Sequence, residues 1–478
     1  MLISWIVSNK NLLDHQFVDL PNHISQINGW FVNEDSTKAS IIINSGDKKS
    51  VQFRTSRNKS LIEIEAQKII ELSKLLGCKD TPSPDIEPEP VPEPHIDLFA
   101  CELQKEVKAL FKKLNFPFIS KLLWPSGAVR ACCITHDVDL VRKYGPKQIM
   151  QSLVDRDFKN AGIVFQKLYQ RENPYWNFSR LLELYQEKNW RATFFFLAKT
   201  WEKSGLRYNI KTPRFRELFK AILAGGHEIG LHSNRFIFDR PEDYFREKNK
   251  LETIIDREIK GVRQHYLRIL FPDGWRYLNA AGFQYDSSCG YNNGIGFRAG
   301  TSFPFNIRFP DLSDSSEIYE VPIFLMDYPW IVPQATFEEN WSKFEDQMIL
   351  LKKTGGLANL LWHPNNIAEN TYRDYWDKMI SWIGQGDLYL DSLENILQWW
   401  KSRSAVELTH LSVDKAQFNF ELNSDARIEN LTLEILSPKA LNLVQRDGRL
   451  AKLENNTYHF RIPVLEPGRT KFEFSYTA

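Results

Sequence analysis

The sequence predicts an α/β chain built around a (β/α) barrel, with a small α/β domain before it and a small antiparallel β domain after it. Three observations predict this. From about residue 97 to 403, short apolar runs alternate with helical stretches. Each of those runs leads into polar, often titratable residues. Beyond 404 the pattern changes to alternation of period two. Alternating strand and helix argues for parallel strands joined by crossover helices. Functional side chains gathered at the C-terminal ends of such strands are characteristic of a barrel.

In chain order, residues 1–78 read as a small α/β domain. "ASIIINS" and "SVQFRTS" are strand-like, and "SLIEIEAQKIIELSKLLG" has the spacing of an amphipathic helix. Residues 79–96 form a linker, because "TPSPDIEPEPVPEPH" holds six prolines and four acidic residues. Such a segment favours polyproline geometry and acts as a semi-rigid spacer. Residues 97–403 supply the barrel, through "RACCITHD", "RATFFFLA", "HEIGLHS" and "GLANLLWH" with helices between them. Residues 404–478 supply a sandwich-like β domain from "FNFEL", "LTLEIL", "YHFRI" and "KFEFSY".

Composition narrows the function classes. The chain has 478 residues, of which 42% are apolar and 25% charged, as in ordinary globular proteins. The net charge of +1 gives no bulk attraction to nucleic acid. Five scattered cysteines suggest neither a disulfide framework nor a CxxC metal site. No apolar run approaches the length of a membrane span. "MLISWIVSNKNLL" lacks the basic start and cleavage site of an export signal, so a cytoplasmic location is expected. Aromatics at 13% suit a carbohydrate-handling protein without requiring one.

The chemistry begins at "ACCITHDVDL". In an extended chain, residues i and i+2 point the same way, so Asp137 and Asp139 leave one side of the strand and His136 the other. Two close carboxylates repel unless a cation or a shared proton relieves them. Read alone, they could also be helix-capping or loop carboxylates, the less favoured reading. His232 ends a second strand-like run, and His227, which starts it, reads as structural. Arg263 and His265 are again at i and i+2. An arginine beside a carboxylate fixes its geometry, and a histidine there could bind a metal. Asp286 follows a short apolar segment and His363 ends "LANLLWH". An Asp bonded to a His orients the ring and stabilises its charged form. The loop "GYNNGIGFRAGTSFPF", residues 290–305, offers Phe297 and Arg298 as substrate contacts.

Together, D-x-D, "ATFFF", "GHEIGLH", R-x-H, "YDSS" and "LLWH" resemble the polysaccharide deacetylase family over roughly residues 128–395. The resemblance implies a distorted (β/α) barrel and a metal-dependent hydrolase that removes acetyl groups from sugars, with zinc or a similar divalent ion. It implies Asp137 as general base, Arg263 as its brace and His363 as general acid tuned by Asp286. It also implies Asp139 and His232 as metal ligands. The family's second metal histidine falls at Phe236, which cannot bind a metal. His265 is the expected replacement, ahead of His136 or Asn234. The substrate expected is an N-acetylated sugar or glycan intermediate, such as a nucleotide- or lipid-linked sugar. The alternatives are a related C–N hydrolase acting on a non-sugar amide, and a metal-free glycan-binding protein, which Phe236 favours.

Overall fold

The structure is a computed structural model. It describes residues 4–7, 19–30, 39–44, 50–55, 66–78, 87–198, 208–309, 317–444 and 448–476, apart from 235, 238, 333 and 387. At its centre lie eight strand segments: β1 (Ala131–Val138), β2 (Ala192–Leu197), β3 (Glu228–Ser233), β4 (Gly261–Gln264), β5 (Tyr285–Asp286), β6 (Glu317–Glu320), β7 (Leu325–Met326) and β8 (Leu357–Leu361). Neighbours β1 to β6 pair in parallel in chain order, and β8 pairs in parallel with β1. β7 pairs with β8.

The curl closes because β6 and β7 are the two ends of one extended segment. Its first end lies on β5 and its last on β8. Between them, Val321 N–H donates to Asp286 O (2.9 Å) and Phe324 N–H to Asn359 O (3.0 Å). A barrel closed by one broken stave is a distorted one, as the family resemblance implies. β1 and β2 are buried along their whole length, as expected when a parallel sheet is covered on both faces. This explains "ATFFF": Phe194, Phe195 and Phe196 fill the core on both sides of β2.

The flanking regions pack more closely on the barrel than the sequence suggests. The Pro-rich segment does not stand off as a spacer over its described part. Val91 O accepts from Phe297 N–H (2.8 Å), and Val91 N–H donates to the Tyr291 hydroxyl (3.0 Å). Glu87 Oε1 accepts from Asn292 N–H (2.7 Å). Residues 87–91 therefore lie along the 290–298 loop. The next helix, His95–Lys113, seats Asp97 against Thr301 and Ser302.

The C-terminal region forms two four-stranded antiparallel sheets. Phe420, Phe472 and Phe474 of one sheet meet Phe460 of the other. One edge strand, Phe118–Lys121, comes from before the barrel, within the span read as barrel, and pairs with Ile428–Leu436. The N-terminal strands Ser4–Val7, Ala39–Asn44 and Ser50–Thr55 form a three-stranded sheet. Among the described residues, no helix is long and apolar enough to cross a membrane.

Candidate active site

The C-terminal ends of β1, β3, β4, β7 and β8 bring the titratable residues together. Asp139 lies one residue past β1, His232 on β3, and His265 one residue past β4. One ligand atom from each of these three lies within 4.8 Å of the others. Asp139 Oδ1 is 3.2 Å from His232 Nε2, and Asp139 Oδ2 is 3.5 Å from His265 Nε2.

The hydrogen bonding of His232 shows what this arrangement lacks. Its Nδ1 lies 3.0 Å from Arg263 O, an acceptor, so Nδ1 carries the proton. In the neutral ring Nε2 is then a lone pair aimed at a carboxylate oxygen. His232 Nε2 and Asp139 Oδ1 are both buried without a hydrogen-bond partner. Two facing acceptors need a proton or a metal cation between them. Burial by itself lowers the pKa of His232 and raises that of Asp139. The mutual attraction outweighs it, so His232 ends above its ordinary value and Asp139 well below. The Asp/His/His set and the backbone-anchored imidazole fit a divalent cation. The replacement expected for Phe236 is thus placed beside Asp139 and His232. The Asn234 side chain instead accepts from Phe236 N–H (3.0 Å). The residue after His265, Tyr266, adopts a left-handed backbone (φ 63°), an unusual conformation for a bulky residue.

Arg263 is fully enclosed and spends its donors on four acceptors. They are Ser287 O (2.7 Å), Ser287 Oγ (2.7 Å), Thr135 Oγ1 (2.8 Å) and Asp137 Oδ1 (3.2 Å). Its guanidinium lies over the Phe195 ring. Asp137 is therefore held from one side, while its Oδ2 faces His232 Nε2 at 3.8 Å.

Across the same rim, His363 does not meet Asp286. Its Nδ1 lies 2.8 Å from Asp327 Oδ1, and its backbone N–H donates to Asp327 Oδ2 (2.9 Å). Nε2 points back toward Asp139 Oδ2 at 3.6 Å. Burial alone would lower the His363 pKa. The Asp327 carboxylate, then Asp139 and Asp137, outweigh it and raise it to about 9. Asp286 instead accepts from Ser288 Oγ (2.5 Å) and adjoins Glu320. Burial pushes the Asp286 carboxyl up to about 6 and Glu320 well above its ordinary value. The reason is the broken stave. It puts Asp327, one residue past β7, against β8, while Asp286 faces β6. Asp327 was legible by the rule that picked out the others, since it ends the apolar run in "VPIFLMD".

Phe297 and Arg298 also need correction as substrate contacts. Phe297 is 1% exposed and stacks on Phe324. Arg298 is buried, donates to Gly290 O (3.0 Å) and lies over Phe271. The Pro-rich segment covers this loop and turns it inward. The aromatic groups that do border the cluster are Tyr266 and Tyr328, 56% and 49% exposed. Tyr266 lies against His265 and Tyr328 against His363. His136 is structural, as expected, and bonds Trp362 O (2.7 Å) and the Tyr185 hydroxyl (2.6 Å).

The family model of the polysaccharide deacetylases matches residues 157–289. The match includes His232, Arg263 and His265, and stops short of Asp137, Asp139 and His363. No curated protein matches the chain. Among solved structures, one described as a polysaccharide deacetylase from Mycobacterium smegmatis is 18% identical. It aligns over 62% of this chain and 98% of its own, with a TM-score of 0.41. One so described from Pseudomonas aeruginosa is 16% identical over 58% of this chain and 92% of its own, also at 0.41. An allantoinase is 15% identical over the same shares, again at 0.41.

Proposed function

We propose that this protein is a metal-dependent hydrolase that removes acetyl groups from an N-acetylated sugar or glycan intermediate. The observation that carries the reading is the meeting of three units at one rim: Asp139–His232–His265, Asp137–Arg263 and His363–Asp327. Asp139, His232 and His265 would hold the divalent ion, zinc being the one this ligand set suits. A bound divalent ion polarises a carbonyl oxygen and lowers the pKa of a coordinated water.

The chain's own residues supply the rest. Asp137, fixed by Arg263, accepts the proton of the attacking water through its carboxylate. His363, kept protonated by Asp327, donates from Nε2 to the departing amine nitrogen. Tyr266 and Tyr328 offer ring faces on either side of the cluster, where a sugar can stack. The metal-free, non-catalytic alternative rested on Phe236, and His265 beside Asp139 supports the metal-dependent reading over it.

The test is acetate release from N-acetylglucosamine oligosaccharides, with and without a chelator, for the wild type and Asp137→Asn. The reading requires release that the chelator abolishes and the variant loses. Equal release by the variant would refute the assignment of the base.

A further inference from the structure

A cavity of about 800 Å³ opens beside the cluster. Its lining begins at Leu140, the residue after Asp139, and reaches Tyr208, whose hydroxyl donates to Val138 O at the end of β1 (2.6 Å). It therefore adjoins the rim where the three units meet. The described lining carries four cations, Arg142, Lys143, Lys147 and Arg214, and no carboxylate. Lys143 is neutralised by Glu369 at 2.7 Å. Arg142, Lys147 and Arg214 form no ion pair with any described residue.

Arg214 is pre-positioned, with its guanidinium 3.7 Å from the centre of the Trp176 ring. Partial burial and then the charge of Arg142 lower its pKa. Like charges gathered without a counter-ion repel, and a bound anion relieves them. Two guanidinium groups and an ammonium match the several oxygens of a phosphate better than a single carboxylate.

We propose that this cavity binds a phosphate or diphosphate ester on the substrate, so that the acetylated sugar is a phosphate-linked intermediate. The sugar half rests on the deacetylase reading, and the anion half does not.

The anion half is tested by calorimetric titration of the full chain with inorganic pyrophosphate, for the wild type and the Arg142→Ala/Arg214→Ala variant. Both side chains are exposed, and a thermal melt checks that the variant is folded. Saturable binding that weakens at least about tenfold in the variant is expected. No saturable binding, or equal binding by the variant, overturns the proposal.

The sugar half is tested by acetate release from neutral chitotriose, a nucleoside diphosphate N-acetylhexosamine and a polyprenyl diphosphate N-acetylhexosamine. The variant should raise KM for a diphosphate substrate and leave chitotriose unchanged. Which diphosphate is turned over separates a nucleotide carrier from a lipid one. Release from chitotriose alone overturns the phosphate-linked substrate and leaves deacetylation standing. Release from none of the three, with pyrophosphate still bound, overturns deacetylation and leaves the anion site standing.

Past the cavity, helices Pro146–Val154 and Phe158–Tyr169 form a hairpin. Phe158, Phe165 and Tyr169, at i, i+7 and i+11, form one stripe and are 69%, 63% and 82% exposed. Met150 and Val154 are exposed on the other helix. Residues 140–176 hold seven Lys and Arg against three Asp and Glu, and with Glu369 set against Lys143 the surplus is three in a chain of net charge +1. An apolar stripe with a basic surround is complementary to an anionic lipid surface.

We infer that the hairpin docks on anionic membrane headgroups. The test is co-sedimentation with phosphatidylcholine vesicles, with and without phosphatidylglycerol, for the wild type and Phe158→Ser/Phe165→Ser. Binding is expected only with phosphatidylglycerol, and is expected to be lost at high salt and in the variant. No binding to phosphatidylglycerol vesicles overturns the inference. A dimer that this variant abolishes, without vesicle binding, assigns the stripe to a second copy and overturns it too.

Discussion

The two ends of the barrel both bury carboxylates, with opposite results. At the C-terminal end, Asp139 faces two imidazoles and is held well below the usual carboxylate range. At the N-terminal end, the donors to Glu228 among the described residues are neutral: the Thr193 hydroxyl (2.8 Å), the Tyr285 hydroxyl (2.6 Å) and Glu394 N–H (2.9 Å). Burial there pushes its carboxyl up to about 7. The histidines divide in the same way. His363, beside Asp327, rises to about 9, and His136, enclosed by rings, is lowered by burial to about 3. Burial alone neutralises a group, and burial beside an opposite charge keeps it charged. The first serves structure and the second chemistry.

The largest effects are expected at the charged end. His265→Ala or Asp139→Ala should reduce bound metal from about one ion per chain to near none, while Phe236→Ala retains it. Elemental analysis of the purified protein checks this, and metal retained by His265→Ala would remove it as a ligand. Next comes Asp137→Asn, expected to keep the metal and lower acetate release about 10²–10⁴-fold. Single-substrate kinetics with metal content measured in parallel would show it.

Asp327→Asn sharpens the contrast between histidines. A His363 pKa near 9 means the proton donor is present below that pH and is lost above it. Removing the carboxylate should move the alkaline limb of the kcat profile to lower pH by roughly 1–2 units. An unmoved limb would detach His363 from that limb.

The smallest effect lies at the other end. Glu228 has a folded pKa near 7, above its ordinary 4.5. The fold holds a proton that the unfolded chain releases, so this contribution is complete below about pH 4.5 and is lost as pH rises through 7. It is of the order of 3 kcal/mol. Glu228→Gln should flatten the fall in melting temperature between pH 4.5 and 7.5, with catalysis unchanged.

Much of this was legible in the sequence because it is local. Period-two alternation put Asp137 and Asp139 on one side and His136 on the other, and the apolar runs marked the strand ends where His232, Arg263 and His363 lie. His265 could be named as the stand-in for Phe236 because it follows Arg263 by two residues. What was not legible is which strand ends become neighbours. Asp286 and Asp327 both end apolar runs, and only barrel closure through the segment 317–326 puts Asp327 against His363 and Asp286 against Glu320. Phe297 and Arg298 have the composition of a binding loop, and only the docked residues 87–91 turn them inward.

The sequence by itself determined the strand and helix pattern, the sandwich after the barrel and most of the residues at the rim, since short-range periodicity dictates which way a side chain leaves its strand. The tertiary structure alone decided the partners: which carboxylate meets His363, where Asp286 turns and which loop is covered. Those choices depend on residues tens to hundreds of positions apart meeting across a closed sheet, and no local pattern records that closure.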